Sequence, residues 1–416
     1  MKRMIFAALA LAHPGPAAAQ SLTLSNLKPK VSALCPGVAR VTTVAAFWAQ
    51  LAACGAPATT PTPAVSSSSA TAFPTLEQGT FPAWGHGGIP GAYSENEGAF
   101  RFVCGGDGPL KTDDPVVYPG KPGAAHLHQV WGNRLFDADL TTERLLASPA
   151  TNCNETPLSL NRSSYWQPAL LHDSGQVVRP DLVSVYYKRL RSVSRECRNG
   201  EVGVCTELPK GLKFLAGWDQ YRPAAPVRGA WWYCTGVNGH FPDLDAVFAA
   251  GCKPGADIVA NTVGATCWDG KNLDSADHRS HMSYTVPRTD GSGREACPAT
   301  HRYLIPQQEN KVQFRVTADM IGADGKSRIR LSSDDMLAGA KPGQTLHADY
   351  MEGWNDAARK AWHEGCIDKG LSCSGGDLGN GRMLHGAREP KYGWTMPVAR
   401  VAVPGRPAEA SMHPGH

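Results

Sequence analysis

Lys311-Val312-Gln313-Phe314-Arg315-Val316 alternates polar and apolar side chains. Successive side chains of an extended chain point to opposite faces, so this stretch reads as a strand with Val312, Phe314 and Val316 in a core and its cations facing water. Working outward, similar extended segments recur at residues 100–103, 124–131, 183–187, 212–216 and 329–332, broken by Gly and Pro. The 416 residues include 44 Gly and 32 Pro, which favours turns over long helices. One helix is expected over residues 355–365, where Ala357, Ala358, Ala361 and Trp362 form a partial stripe ended by Gly365. Together these features predict a mainly β fold, a disulfide-stapled β-sandwich or jelly roll with long loops and a few short helices.

The N-terminal region carries two export patterns. Residues 1–20 have a basic start, an apolar stretch and Ala17-Ala18-Ala19 before Gln20, as a signal peptide does. A second apolar run closes on Leu51-Ala52-Ala53-Cys54-Gly55, which resembles a bacterial lipobox with Cys54 as the lipidated residue. The competing reading pairs Cys35 with Cys54 on a short amphipathic helix. Residues 55–80 are rich in Pro, Thr and Ser and read as a tether, residues 81–403 as one globular domain, and residues 404–416 as a disordered tail. The expected location is extracytoplasmic, secreted or lipid-anchored to a bacterial envelope, with membrane contact only through Cys54.

Ten further cysteines, Cys104, Cys153, Cys197, Cys205, Cys234, Cys252, Cys267, Cys297, Cys366 and Cys373, form an even set that reads as five disulfides in an exported chain. Their spacings suit local loops for Cys197 with Cys205 and Cys366 with Cys373, and larger ones for Cys234 with Cys252 and Cys267 with Cys297, although spacing does not fix connectivity. The net charge is only +4, with two cations in the leader, so no broad basic footprint for nucleic acid is expected. No G-x-S-x-G elbow, H-E-x-x-H pair, P-loop or dinucleotide fingerprint is present.

Three polar clusters are the candidates for chemistry. In His126-Leu127-His128 the two imidazoles share a face if the chain is extended, which allows metal ligation or acid–base work. Cys267 to Tyr284 concentrates Lys271, Asp274, Asp277, His278, Arg279 and His281, with carboxylates to orient imidazoles and cations to hold an anionic or hydroxyl-rich ligand. His347-Ala348-Asp349 places a His and a carboxylate on one face of a third strand. Against these stand bland readings: histidines hydrogen-bonded on a wet sheet face, and aspartates capping turns. The same applies to Ser332-Ser333-Asp334-Asp335, which reads as a loop brace. Tyr165, Trp166 and Trp354 are candidate sugar-stacking rings, set against a role in the core.

At these residues the sequence resembles a known family. His126-Leu127-His128 with Trp131-Gly132-Asn133, Ser164-Tyr165-Trp166-Gln167-Pro168, Cys267-Trp268-Asp269-Gly270-Lys271-Asn272-Leu273-Asp274-Ser275, Asp277-His278-Arg279-Ser280-His281-Met282 and His347-Ala348-Asp349-Tyr350 are similar to a domain-of-unknown-function family. That family is abundant in secreted fungal proteins, where it can be joined to WSC modules, and also occurs in bacteria. The resemblance spans residues 100–366 and implies a secreted domain associated with extracellular or cell-wall material; it carries no activity.

Three functions follow as expectations. The first is an enzyme acting on extracellular or cell-wall glycan, a His-based lyase or hydrolase, with His126, His128, Asp277, His278, His281, His347 and Asp349 as catalytic candidates. Tyr165, Trp166, Lys271, Arg279 and Trp354 would then hold substrate. The second is a metal-binding protein or metalloenzyme in which His126, His128, His278, His281, His347 and Asp349 are the candidate ligands of a divalent transition metal. The third is a non-catalytic cell-surface glycan binder.

Overall fold

The computed structural model describes residues 72–83, 89–91, 97–153, 158–385 and 400–404. The expectations for residues 1–54, lipidation of Cys54 among them, and for most of the tether and tail lie outside the described residues. The fold is mainly β, as the alternation predicts, and the described strands form six sheets, two of which carry most of the structure.

Gln307–Arg315, which holds most of the alternating stretch, is an interior strand of the seven-stranded sheet, paired antiparallel with Asp257–Val263 and Leu182–Leu190. Val312 and Phe314 are buried, and Lys311 and Gln313 are partly exposed. Beyond Asp257–Val263 lie Ala230–Cys234 and Val237–Phe241; beyond Leu182–Leu190 lie Glu97–Cys104 and the short parallel Ser372–Cys373. The five-stranded sheet runs Lys213–Gly217, His347–Met351, Ser164–Pro168, His128–Gly132, Leu110–Lys111, all antiparallel.

Period-two geometry divides the five-stranded sheet into two apolar faces. Phe214, Tyr350, Tyr165 and Trp131 lie in register and enter the main core with Phe100, Phe102, Val185, Tyr187, Val312 and Phe314 of the larger sheet. On the other face Leu215, Met351, Trp166 and Val130 pack with Val116, Phe136, Leu140 and Leu145 in a second cluster. Both faces are therefore covered, and polar side chains of this sheet's strands are buried as well.

The expected helix forms at Asp356–Trp362, where Asn355 accepts from the Ala358 N–H as its N-cap, and passes into a wider turn at His363–Ile367. All five disulfides form: Cys104–Cys153, Cys197–Cys205, Cys234–Cys252, Cys267–Cys297 and Cys366–Cys373. Such dense bridging suggests an extracellular protein. No helix among the described residues is long and apolar enough to cross a membrane. Residues 72–83 already pack onto the fold: Arg162 donates to the Ala72 carbonyl and lies over the Phe73 ring, and Thr80–Pro82 pairs with Arg382–Leu384.

Candidate metal centre

The second face of the five-stranded sheet becomes polar at one end. His347 and Asp349 share that face with Met351, as alternation requires, and Asp349 stands opposite Trp166 on one side and Leu215 on the other. Two strands away, His128 begins His128–Gly132, and His126 lies just before it. The His126 and His128 rings meet edge to face with centroids 4.2 Å apart, and His126 and His347 do so at 5.1 Å.

A fifth residue, Asp114, comes from the loop over this face. Its Oδ1 accepts the Val116 and Val117 N–H groups, which fixes the turn, while the Trp166 indole N–H donates to Oδ2 at 3.3 Å. That oxygen lies 4.0 Å from His128 Nε2. Ligand atoms therefore converge in two overlapping triplets, His126 with His128 and His347, and Asp114 with His128 and Asp349, each with its atoms within 4.8 Å of one another. Donors held about 2.0–2.2 Å from one ion sit roughly 3–4.5 Å apart, so the spacing suits a shared cation.

The hydrogen bonds behind the imidazoles decide where their lone pairs point. His128 Nδ1–H donates to the Asp113 carbonyl at 3.0 Å, and His347 Nδ1–H donates to the Thr345 carbonyl at 2.8 Å. A carbonyl cannot donate, so each neutral ring carries its lone pair on Nε2, the arrangement that metal-binding histidines use. His126 Nε2, His128 Nε2 and Asp349 Oδ1 are buried without a hydrogen-bond partner. Buried polar atoms are seldom left so, and three of them meet in this one cluster.

Burial sets the charge state. It pushes the His347 imidazole down to about 3 and His126 well below the ordinary histidine range, helped in His126 by its two neighbouring imidazoles. Burial also lowers His128, against the pull of Asp114. It drives the Asp349 carboxyl well upward, and the nearby Asp114 adds to the effect. The cluster thus presents neutral imidazoles and a carboxyl that favours its ionised form only beside added positive charge.

The cluster opens into a narrow cleft of about 10 Å³, room for roughly one water molecule, lined also by Tyr118, Leu215, Trp218, Gln220 and Arg279. Arg279 arrives from the Cys267 to Tyr284 segment. Its guanidinium donates to the carbonyls of Leu215, Gly217 and Trp218, and its Nε lies 3.8 Å from Asp219.

The rest of that segment is committed elsewhere. His281 Nε2–H donates to the Lys213 carbonyl and its Nδ1 meets Ser275 Oγ; His278 Nδ1–H donates to Asp274. Asp277 accepts from the N–H groups of Arg279 and Ser280 and from Ser275. Lys271 is exposed, and its backbone N–H caps onto Asp269. Neither His278 nor His281 belongs to a convergent ligand group among the described residues. Tyr165, Trp166 and Trp354, the sequence's candidate stacking rings, are fully buried: Tyr165 and Trp354 lie in the main core and Trp166 in the second cluster. No face of these rings is open to a sugar, because alternation turned one ring of the Tyr165-Trp166 pair into each of two covered faces.

Sequence reading thus reached His126, His128, His347, Asp349 and Arg279, and missed Asp114 and Trp218. Asp113-Asp114-Pro115 carries a turn signal, but nothing local says that this turn folds over His128.

The family model described as Domain of unknown function (DUF1996) matches residues 114–354, more than half of the chain, and the match includes every residue lining the cleft. No curated protein and no solved structure matches the chain.

Proposed function

This chain belongs to that family of domains of unknown function, whose name supplies no chemistry, and from its own residues we propose that it is an extracytoplasmic metal-binding protein whose centre serves as a metalloenzyme site. His126, His128 and His347 supply nitrogen ligands, and Asp349 and Asp114 supply carboxylate oxygen on the other side of His128. The observation that carries this reading is the pair of Nδ1–H bonds to backbone carbonyls at His128 and His347, which aim two neutral Nε2 atoms at one point beside an unpartnered carboxylate oxygen. A metal-free acid–base cluster would not need both rings held in the same tautomer.

Mixed imidazole and carboxylate ligation suits copper, zinc or iron better than magnesium. Such an ion supplies Lewis-acid or redox chemistry at the cleft. The protein's part is to hold His128, His347 and Asp349 on strands with Asp114 and His126 on adjoining loops, exclude bulk water by burial, and line the cleft with Arg279 and Tyr118. An extracellular glycan remains the proposed target class, approached through the cleft mouth rather than through the buried Tyr165, Trp166 and Trp354. Lipidation at Cys54 would tether the centre to the envelope.

The test is metal analysis of the untagged protein after reconstitution, beside His128→Ala, His347→Ala and His278→Ala. Stoichiometric metal is expected in the wild type and in His278→Ala, with loss in the other two. A wild type that takes up no metal overturns the reading.

A further inference from the structure

The cleft contains donors as well as ligands. Trp218 is buried beside His347, with ring centroids 5.9 Å apart, and its indole N–H has no hydrogen-bond partner. Its backbone is fixed by the N–H bond to the Leu346 carbonyl, so the ring is held by the same strand end that carries His347. Arg279 faces the cleft from the same side, clamped by three carbonyls into one orientation. Asp219 is its nearest carboxylate, and Asp219 also pairs with Arg222 at 2.8 Å, so one acid is shared by two cations.

The charged residues lining the cleft are Asp114, Asp349 and Arg279. With a divalent ion bound, two carboxylates and one guanidinium leave one positive charge in a buried space. An unpaired charge there is costly, as is an unsatisfied indole donor. One anionic oxygen ligand answers both, and a cleft with room for about one water-sized atom admits a single oxygen of a functional group while the sugar ring that carries it stays at the mouth.

Building on the proposed metal centre, we infer that the cleft binds a carboxylate group of its ligand, one oxygen toward the metal and Arg279, with the Trp218 indole N–H as a further donor. The substrate class this selects is an acidic saccharide, a uronate, over its neutral counterpart. Trp218 and Arg279 are then specificity-determining residues, and neither is a metal ligand.

Galacturonate, galactose and inorganic phosphate are the probes, titrated by calorimetry into the full chain with and without cobalt, while visible absorption reports the cobalt environment. Galacturonate should bind and shift the cobalt bands, with galactose at least about tenfold weaker, the scale of one charge-assisted hydrogen bond. Trp218→Phe, which keeps the ring and removes the N–H, should bind galacturonate about five- to tenfold more weakly with cobalt stoichiometry intact. Arg279→Lys should lose more, with its fold checked by thermal melting. Equal affinity for galactose and galacturonate, or unchanged galacturonate binding in Trp218→Phe, overturns the inference, as does phosphate alone competing where galacturonate does not. Absence of cobalt uptake is a separate failure, that of the metal reading. The uronate subsite is then judged on the cobalt-free titration, where no galacturonate binding overturns it.

Discussion

At the scale of single residues, burial acts on carboxylates and imidazoles in opposite directions, and the molecule uses both. At the centre it keeps imidazoles neutral and leaves Asp349 short of positive charge. Away from the centre, Asp181 shows the same cost, which the nearby Arg315 only partly offsets. It is almost fully buried, its Oδ2 accepts the Arg315 N–H, and its Oδ1 has no partner. Burial pushes its carboxyl up to about 6, outweighing the Arg315 hydrogen bond and charge. A raised acid holds its proton more tightly when folded than when unfolded. Between the unfolded value near 3.8 and about 6, stability therefore falls as pH rises, and the penalty is complete above that window. Asp181→Asn keeps an oxygen for Arg315 and removes the titration. Its melting temperature should exceed that of the wild type at pH 8 and converge on it near pH 4. An equal difference at both pH values would show that the carboxylate charge is not the cause.

At the scale of elements, Lys213–Gly217 is the edge strand of the site-bearing sheet, and exposed edges invite unwanted pairing. The segment after Cys267 covers this edge: the Lys213 N–H donates to Leu273 O, the Leu215 N–H donates to His278 O, and His281 and Arg279 cap carbonyls along the strand. His278 adopts φ of 54°, a left-handed conformation uncommon for a side chain of its size, held by its bond to Asp274. His281→Ala should therefore cost about 1–3 kcal/mol by leaving the Lys213 carbonyl without its donor, while metal content stays at the wild-type level. Metal loss equal to that of His347→Ala would instead join the two histidine groups. This division explains what the sequence disclosed. Alternation placed Val312 and Phe314 inward and set His347 on the face of Asp349, because period two is a property of the local chain, whereas the strand expected over residues 124–131 begins only at His128 and His126 meets His128 from the loop before it. It did not disclose that both faces of the five-stranded sheet are covered, so Tyr165 and Trp166 resembled a ligand platform. Nor did it reveal that the densest polar segment is spent on strand clamping. Hydrogen-bond partners such as the Lys213 and Leu215 carbonyls lie more than sixty positions away along the chain.

At the scale of the whole molecule, the ligand set spans positions 114 to 349, so the centre forms only when distant segments are held together. The disulfides share this work unequally. Four close short or moderate loops, whereas Cys104–Cys153 spans 49 residues and encloses the segment that carries Asp114, His126 and His128. Asn152 reinforces the closure: its N–H donates to Gly132 O, its side-chain oxygen accepts from the Gly132 N–H, and its amide donates to Gly105 O. Cross-link entropy grows with the logarithm of loop length, so the 49-residue span contributes about 4 kcal/mol against roughly 2.5 kcal/mol for the 8-residue span of Cys197–Cys205. Replacing both cysteines of each pair by alanine should therefore shift the denaturation midpoint further for Cys104 and Cys153 than for Cys197 and Cys205. The two variants should also differ in kind. Freeing the longer loop releases three of the five ligand residues from their closure, so metal affinity should fall along with stability, whereas loss of the Cys197–Cys205 bridge should leave affinity unchanged. Denaturation curves and metal titrations on the same two variants check both parts. Equal losses of stability would remove the entropic ranking, and unchanged metal affinity in the Cys104 and Cys153 variant would show that the centre holds its own loop in place.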